Sequence, residues 1–141
     1  MNRLRDTWLM LGALWTAGCG GPESHEHPGR PSLAYEYTTE HLVVHSDAER
    51  CRGDLARWEG FAEHVETTLE LPIPRTIHVY AWDRETYDEG AWCRLGADGC
   101  FMKPDVVYSI IGSIEHELVH AITTDLANED LTFAEGLAVA L

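Results

Sequence analysis

The stretch Ile114–Leu126, IEHELVHAITTDL, sets His116, Glu117 and His120 in the order His-Glu-x-x-His. On a helix of about 3.6 residues per turn, His116 and His120 fall one turn apart on one face, with Glu117 on its flank. Ile114, Leu118, Ala121, Ile122 and Leu126 make an apolar stripe beside them, and Ser113 is a favourable N-cap. Two imidazoles placed this way can share a metal ion, and zinc suits them because it takes neutral imidazole nitrogen at about 2.0–2.1 Å in a tetrahedral shell. The adjacent carboxylate can then take a proton from a zinc-bound water, whose pKa the metal lowers to about 7. This is the chemistry of water attacking a carbonyl. The plainer alternative is a half-buried amphipathic helix whose histidines bond neighbouring backbone.

Downstream, Asn128-Glu-Asp130 breaks the helical pattern, and Thr132–Leu141, TFAEGLAVAL, starts a second helix with Glu135 in its first turn. The chain between His120 and Glu135 is long enough for a helix end, a turn and a return, so Glu135 can supply a third ligand. Thr132-x-x-Glu135 also reads as a capping box, in which Glu135 bonds the backbone N–H of Thr132. Gly136 favours the ligand, since glycine inside a helix costs about 1 kcal/mol and is usually there to admit another backbone.

HELVH followed by FAEGLA resembles the gluzincin metallopeptidases, the peptidase-MA-like branch of the zincins. The resemblance implies that His116, His120 and Glu135 hold one zinc ion and that Glu117 is general base and proton shuttle. It also implies a zincin-like N-terminal subdomain: a small twisted sheet, a long backing helix, the active-site helix and the start of a second, ligand-bearing helix. A strand near the site then pairs with extended substrate. The chain departs from many gluzincins in having Ala134 before the ligand Glu and no acidic residue from Ala138 to Leu141, so the groups that orient the histidine ligands are unassigned. Gluzincins usually continue into a helical subdomain that closes the cleft. Because the sequence stops within an apolar run, residues 34–141 read as the front part of such a domain.

At the other end, residues 1–18 carry Arg3 and Arg5 and then an apolar run from Trp8 to Trp15, too short to span a bilayer comfortably. With Ala17, Gly18 and Cys19 this resembles a bacterial lipoprotein signal, which implies lipid on Cys19 after cleavage; an ordinary secretory peptide is the alternative. Gly20 after Cys19 resembles lipoproteins sorted to the outer membrane. Residues 19–33 are rich in Pro and Gly and read as a flexible tether, in which His25 and His27 are solvated.

Between the tether and the motif, His41–His45 reads as a strand and Asp47–Leu71 as a helix with Leu55, Trp58, Phe61, Ala62, Val65 and Leu69 on its apolar face. Pro72 and Pro74 end that helix. Arg75–Trp82 alternates Ile77, Val79 and Ala81 against His78, Tyr80 and Trp82, a strand with two usable faces. A short polar helix at Asp83–Glu89 and a strand at Asp105–Ile110 complete an α+β order. His41, His45, His64 and His78 have no ligand spacing and read as structural, although Tyr108 or His78 could face the site. Cys93 and Cys100 flank a Gly-containing loop and suit a local disulfide in an oxidising envelope, while Cys51 has no evident partner.

With 24 acidic against 10 basic residues, the net charge of −14 excludes nucleic acid and electrostatic docking on anionic lipid as expected partners. The expectation is an exported, lipid-anchored zinc peptidase acting on peptide or protein substrates. A non-catalytic zinc-binding envelope lipoprotein is the alternative. Glu117 separates the two, because a structural zinc site is normally closed by four protein ligands and needs no base.

Overall fold

The alternation in Ile77–Trp82 separates the two faces of a sheet. In this strand, β3, Ile77, Val79 and Ala81 bury beneath helices, while Tyr80 and Trp82 pack into a second cluster on the opposite face. The computed structural model describes residues 29–73, 75–94, 96–126 and 131–141, with side chains omitted at 89–90 and 131–134. The expected signal segment, Cys19 and the tether up to residue 28 lie outside the described residues, as does the expected helix break at Asn128–Asp130.

β1 (Tyr35–Thr38), β2 (Leu42–Ser46), β3, β4 (Gly99–Met102) and β5 (Val106–Ile110) form one mixed sheet in the order β1-β2-β3-β5-β4. β2, β3 and β5 run parallel in the centre, and β1 and β4 pair antiparallel at the two edges. Parallel neighbours require a crossover, and α1 (Arg52–Leu69) supplies it between β2 and β3. Trp58, Ala62 and Val65, spaced at helical intervals, bury fully and pack with Leu42, Val44, Ile77 and Val79 of the sheet. After α2 (Glu89–Trp92), β4 and β5, a 3-10 turn at Ile111–Ser113 leads into α3 (Ile114–Thr123), and α4 (Leu131–Ala140) follows. Ile114, Leu118, Val119, Ala121 and Ile122 of α3 join the same core. The architecture is α+β, with α1 and α3 on one face of the sheet.

Several local expectations differ. α1 begins at Arg52 rather than Asp47, because Arg50 holds the preceding segment in another conformation. Its guanidinium reaches Ser46 Oγ at 2.8 Å, Asp47 at 3.3 Å and Asp83 at 3.2 Å, and its backbone N–H donates to Tyr37 Oη at 2.9 Å. Asp83–Glu89 is not a helix. The N–H groups of Thr86 and Tyr87 both turn back to the Asp83 carbonyl, and the Tyr87 ring packs on Trp82 with centroids 5.7 Å apart. The helix of that region is displaced to Glu89–Trp92. Ser113 makes no side-chain cap, since the 3-10 turn runs directly into α3 in its place. α3 stops at Thr123, three residues before the expected Leu126.

On the face opposite the helices, Tyr80, Tyr108 and Trp92 stack, with centroids 5.4 Å and 5.6 Å apart for successive rings. The residues just before β1 cross this face. Tyr108 O–H donates to the Gly29 carbonyl at 3.1 Å, Arg30 bonds the Asp105 carboxylate at 3.3 Å, and Leu33 packs on the aromatic cluster. Residues 29–33 of the expected tether are therefore seated on the sheet. No helix among the described residues is long and apolar enough to cross a membrane.

Candidate metal centre

α3 follows β5 through a 3-10 turn and packs against edge strand β4 and against α4. Burial of Ile114, Leu118 and Ile122 fixes the helix's rotation, and the motif histidines consequently emerge on the side facing α4. His116 Nε2 and His120 Nε2 are 3.2 Å apart. Glu135, on α4, reaches both: Oε2 is 3.3 Å from His116 Nε2, and Oε1 is 3.5 Å from His120 Nε2. All three ligand atoms lie within 4.8 Å of one another. Two imidazole nitrogens and one carboxylate oxygen converging from two helices are the donor set that zinc takes, and three protein ligands leave a fourth position for water or substrate. Burial pulls the His120 pKa below its ordinary value, the neighbouring His116 acting in the same direction and Glu135 against it. The imidazole is thereby kept neutral, as a ligand must be.

Glu117 turns inward, against edge strand β4 at Gly99. Only 7% of it is exposed. Burial pushes its carboxyl up to about 7, with a further contribution from the Glu135 charge. A carboxyl with that value can both take and return a proton near neutral pH. A residue that the sequence reading did not single out, Gly99 at the start of β4, stands against its side chain, and the buried Ser109 of β5 comes close to the same point of Gly99. Glycine within a strand often marks a close approach of backbone, but the sequence showed this stretch only as a Gly-containing loop.

His45 stacks on His78 and on Tyr80 across the opposite face of the sheet, with centroids at 5.7 Å and 4.4 Å, and Tyr108 lies fully buried there too. Neither His78 nor Tyr108 faces the site. His41 belongs to a second group of potential ligands with Glu59 and Glu63. Its geometry is that of a clamp: the Glu59 carboxylate accepts from the Thr39 hydroxyl, from the His41 backbone N–H at 3.1 Å and from the His41 ring at 2.5 Å. These bonds tie the β1–β2 turn to α1. Cys93 and Cys100 form a disulfide with Cα atoms 5.7 Å apart, and Cys51 is a free, exposed thiol. The capping alternative for Glu135 involves Thr132, whose side chain is outside the described set.

No family model, no curated protein and no solved structure matches this chain.

Proposed function

We propose that this protein is a zinc-dependent peptidase of gluzincin type, and the observation that carries the reading is the convergence of His116, His120 and Glu135 beside the buried Glu117. His116, His120 and Glu135 would hold the zinc. When bound, that ion supplies Lewis-acid polarisation of the scissile carbonyl and lowers the pKa of water. Glu117 takes the proton of the attacking water on a carboxylate oxygen and carries it to the nitrogen of the leaving amine, so one residue serves as base and then as acid. Edge strand β4 beside α3 offers unpaired backbone to an extended substrate, in the zincin-like manner. On the same reading, residues 1–18 direct export and Cys19 carries the lipid that anchors the protein in the bacterial envelope, in the outer membrane. The buried base favours this over a non-catalytic zinc protein, which has no use for a carboxyl enclosed at the site.

The test is metal analysis of purified protein. His116→Ala, His120→Ala and Glu135→Ala should each lower zinc affinity by about tenfold or more. Full affinity in Glu135→Ala, with only a loss of thermal stability, would make Glu135 a cap and overturn the assignment. Glu117→Gln should retain zinc and fold while abolishing peptide hydrolysis, because the amide keeps the shape but accepts no proton.

A further inference from the structure

The absence of a side chain at Gly99 is what lets the edge strand lie against Glu117. A Cβ at Gly99 would stand 2.9 Å from Glu117 Cγ, 3.1 Å from Glu117 Oε1 and 2.7 Å from Ser109 Oγ. Non-bonded carbon atoms prefer about 3.5–4.0 Å, so something has to move. Ser109 is fully buried, and its hydroxyl donates to the Ile110 carbonyl at 2.8 Å, a bond lost if it turns away. Glu117 Cγ lies in the middle of a buried side chain and cannot retreat without taking the carboxyl with it.

Nor is the strand free to back off. Ile110 N–H donates to the Asp98 carbonyl at 2.9 Å, and the Arg84 guanidinium bonds both Asp98 carboxylate oxygens at 3.0 Å and 2.9 Å. On the other side of Gly99, Cys100 is bonded to Cys93. Residue 99 is thus fastened on both sides while standing against the buried Glu117, the neighbour of His116 in α3.

We propose that Gly99 is a positioning residue for Glu117: a bare backbone at 99, held by its neighbours 98 and 100, fixes where the Glu117 carboxyl sits beside His116, His120 and Glu135. Its consequence for rate rests on the peptidase reading, whereas the placement itself does not. A Cβ at 99 displaces the carboxyl, whereas none of the three atoms it would meet first belongs to a metal ligand. Misplacing a reacting group by about 1 Å can cost on the order of a hundredfold in rate.

The experiment separates placement from catalysis. Thermal unfolding of metal-free protein is compared for Gly99→Ala with and without Glu117→Ala, all in a Ser109→Ala background so that the hydroxyl contact is absent throughout. Overpacking should lower Tm by about 4 °C or more when Glu117 is present, and by much less when its carboxyl has been removed. In the otherwise natural chain, Gly99→Ala should bind zinc as tightly as the parent. On the best-cleaved member of a quenched-peptide library it should lose about tenfold to a hundredfold in kcat with KM nearly unchanged. Equal Tm losses with and without the Glu117 carboxyl overturn the proposal, and so does an unchanged kcat. If the coupling appears but the parent cleaves nothing in the library, the peptidase reading fails and the placement stands.

Discussion

At the scale of single residues, His41 shows how a histidine without ligand spacing still acts. Burial alone would lower its pKa, but the hydrogen bond and charge of Glu59, with Glu40 and Glu66 nearby, raise it above the ordinary value. A raised folded-state pKa means that the clamp's contribution is fully present below about pH 6.5 and is lost as pH climbs through the raised value. The stability difference between the parent and His41→Gln should therefore be larger at pH 5.5 than at pH 9, by about 1 kcal/mol or less because both partners are part-exposed. Urea unfolding at the two pH values checks it, and a difference that grows toward alkaline pH would contradict the assignment. The sequence made His116, Glu117, His120 and Glu135 legible because helical spacing places residues of one or two neighbouring helices without knowledge of the rest of the fold. The seat of Glu117 was not legible. Gly99 stands against it from edge strand β4, whose pairing with β5 no local pattern encodes.

At the scale of elements, the alternation of Ile77–Trp82 was readable because its two faces bury in two different clusters, and the apolar face of α1 because it buries against the larger one. The edge strands β1 and β4 escaped notice, being four residues each and only partly buried. The start of α1 was set by the bonds of Arg50 to residues up to 33 positions away, which helix propensity does not register. β4 also depends on a covalent tie, the Cys93–Cys100 bridge across a sequence separation of 7. Closing a loop of that size should stabilise the fold by about 2–3 kcal/mol through the unfolded chain's lost entropy. The double variant Cys93→Ser/Cys100→Ser should show that loss as a lower urea midpoint, and an unchanged midpoint would mean the bridge constrains nothing. Before any reduction, a thiol reagent should label Cys51 and leave Cys93 and Cys100 unmodified, as peptide mapping of the labelled protein would show.

At the scale of the whole molecule, the proposed metal would join two parts held together unequally. α3 is built into the core that includes α1 and the sheet, whereas Glu135 is 60% exposed and faces the histidines from α4. Among the described residues of α4, Val139 is 80% exposed and Ala138 is in the main core. A ligand from each helix makes zinc a cross-link between them, and binding to the folded state alone stabilises it by mass action. At free zinc about a hundred times Kd, the gain is about 2.7 kcal/mol, or a rise in Tm of about 10 °C for a domain of this size. The gain should be distributed unevenly. Amide exchange in residues 131–141 should slow markedly on adding zinc and recover on chelation. Amides of β2, β3 and β5 should change only as far as global stability does, because their opening already requires unfolding of the core. In Glu135→Ala the residual zinc effect should no longer protect α4 selectively. Zinc that raised Tm while leaving exchange in 131–141 untouched would place the ion on α3 without α4, and the two-helix centre would then be wrong even though the protein bound metal.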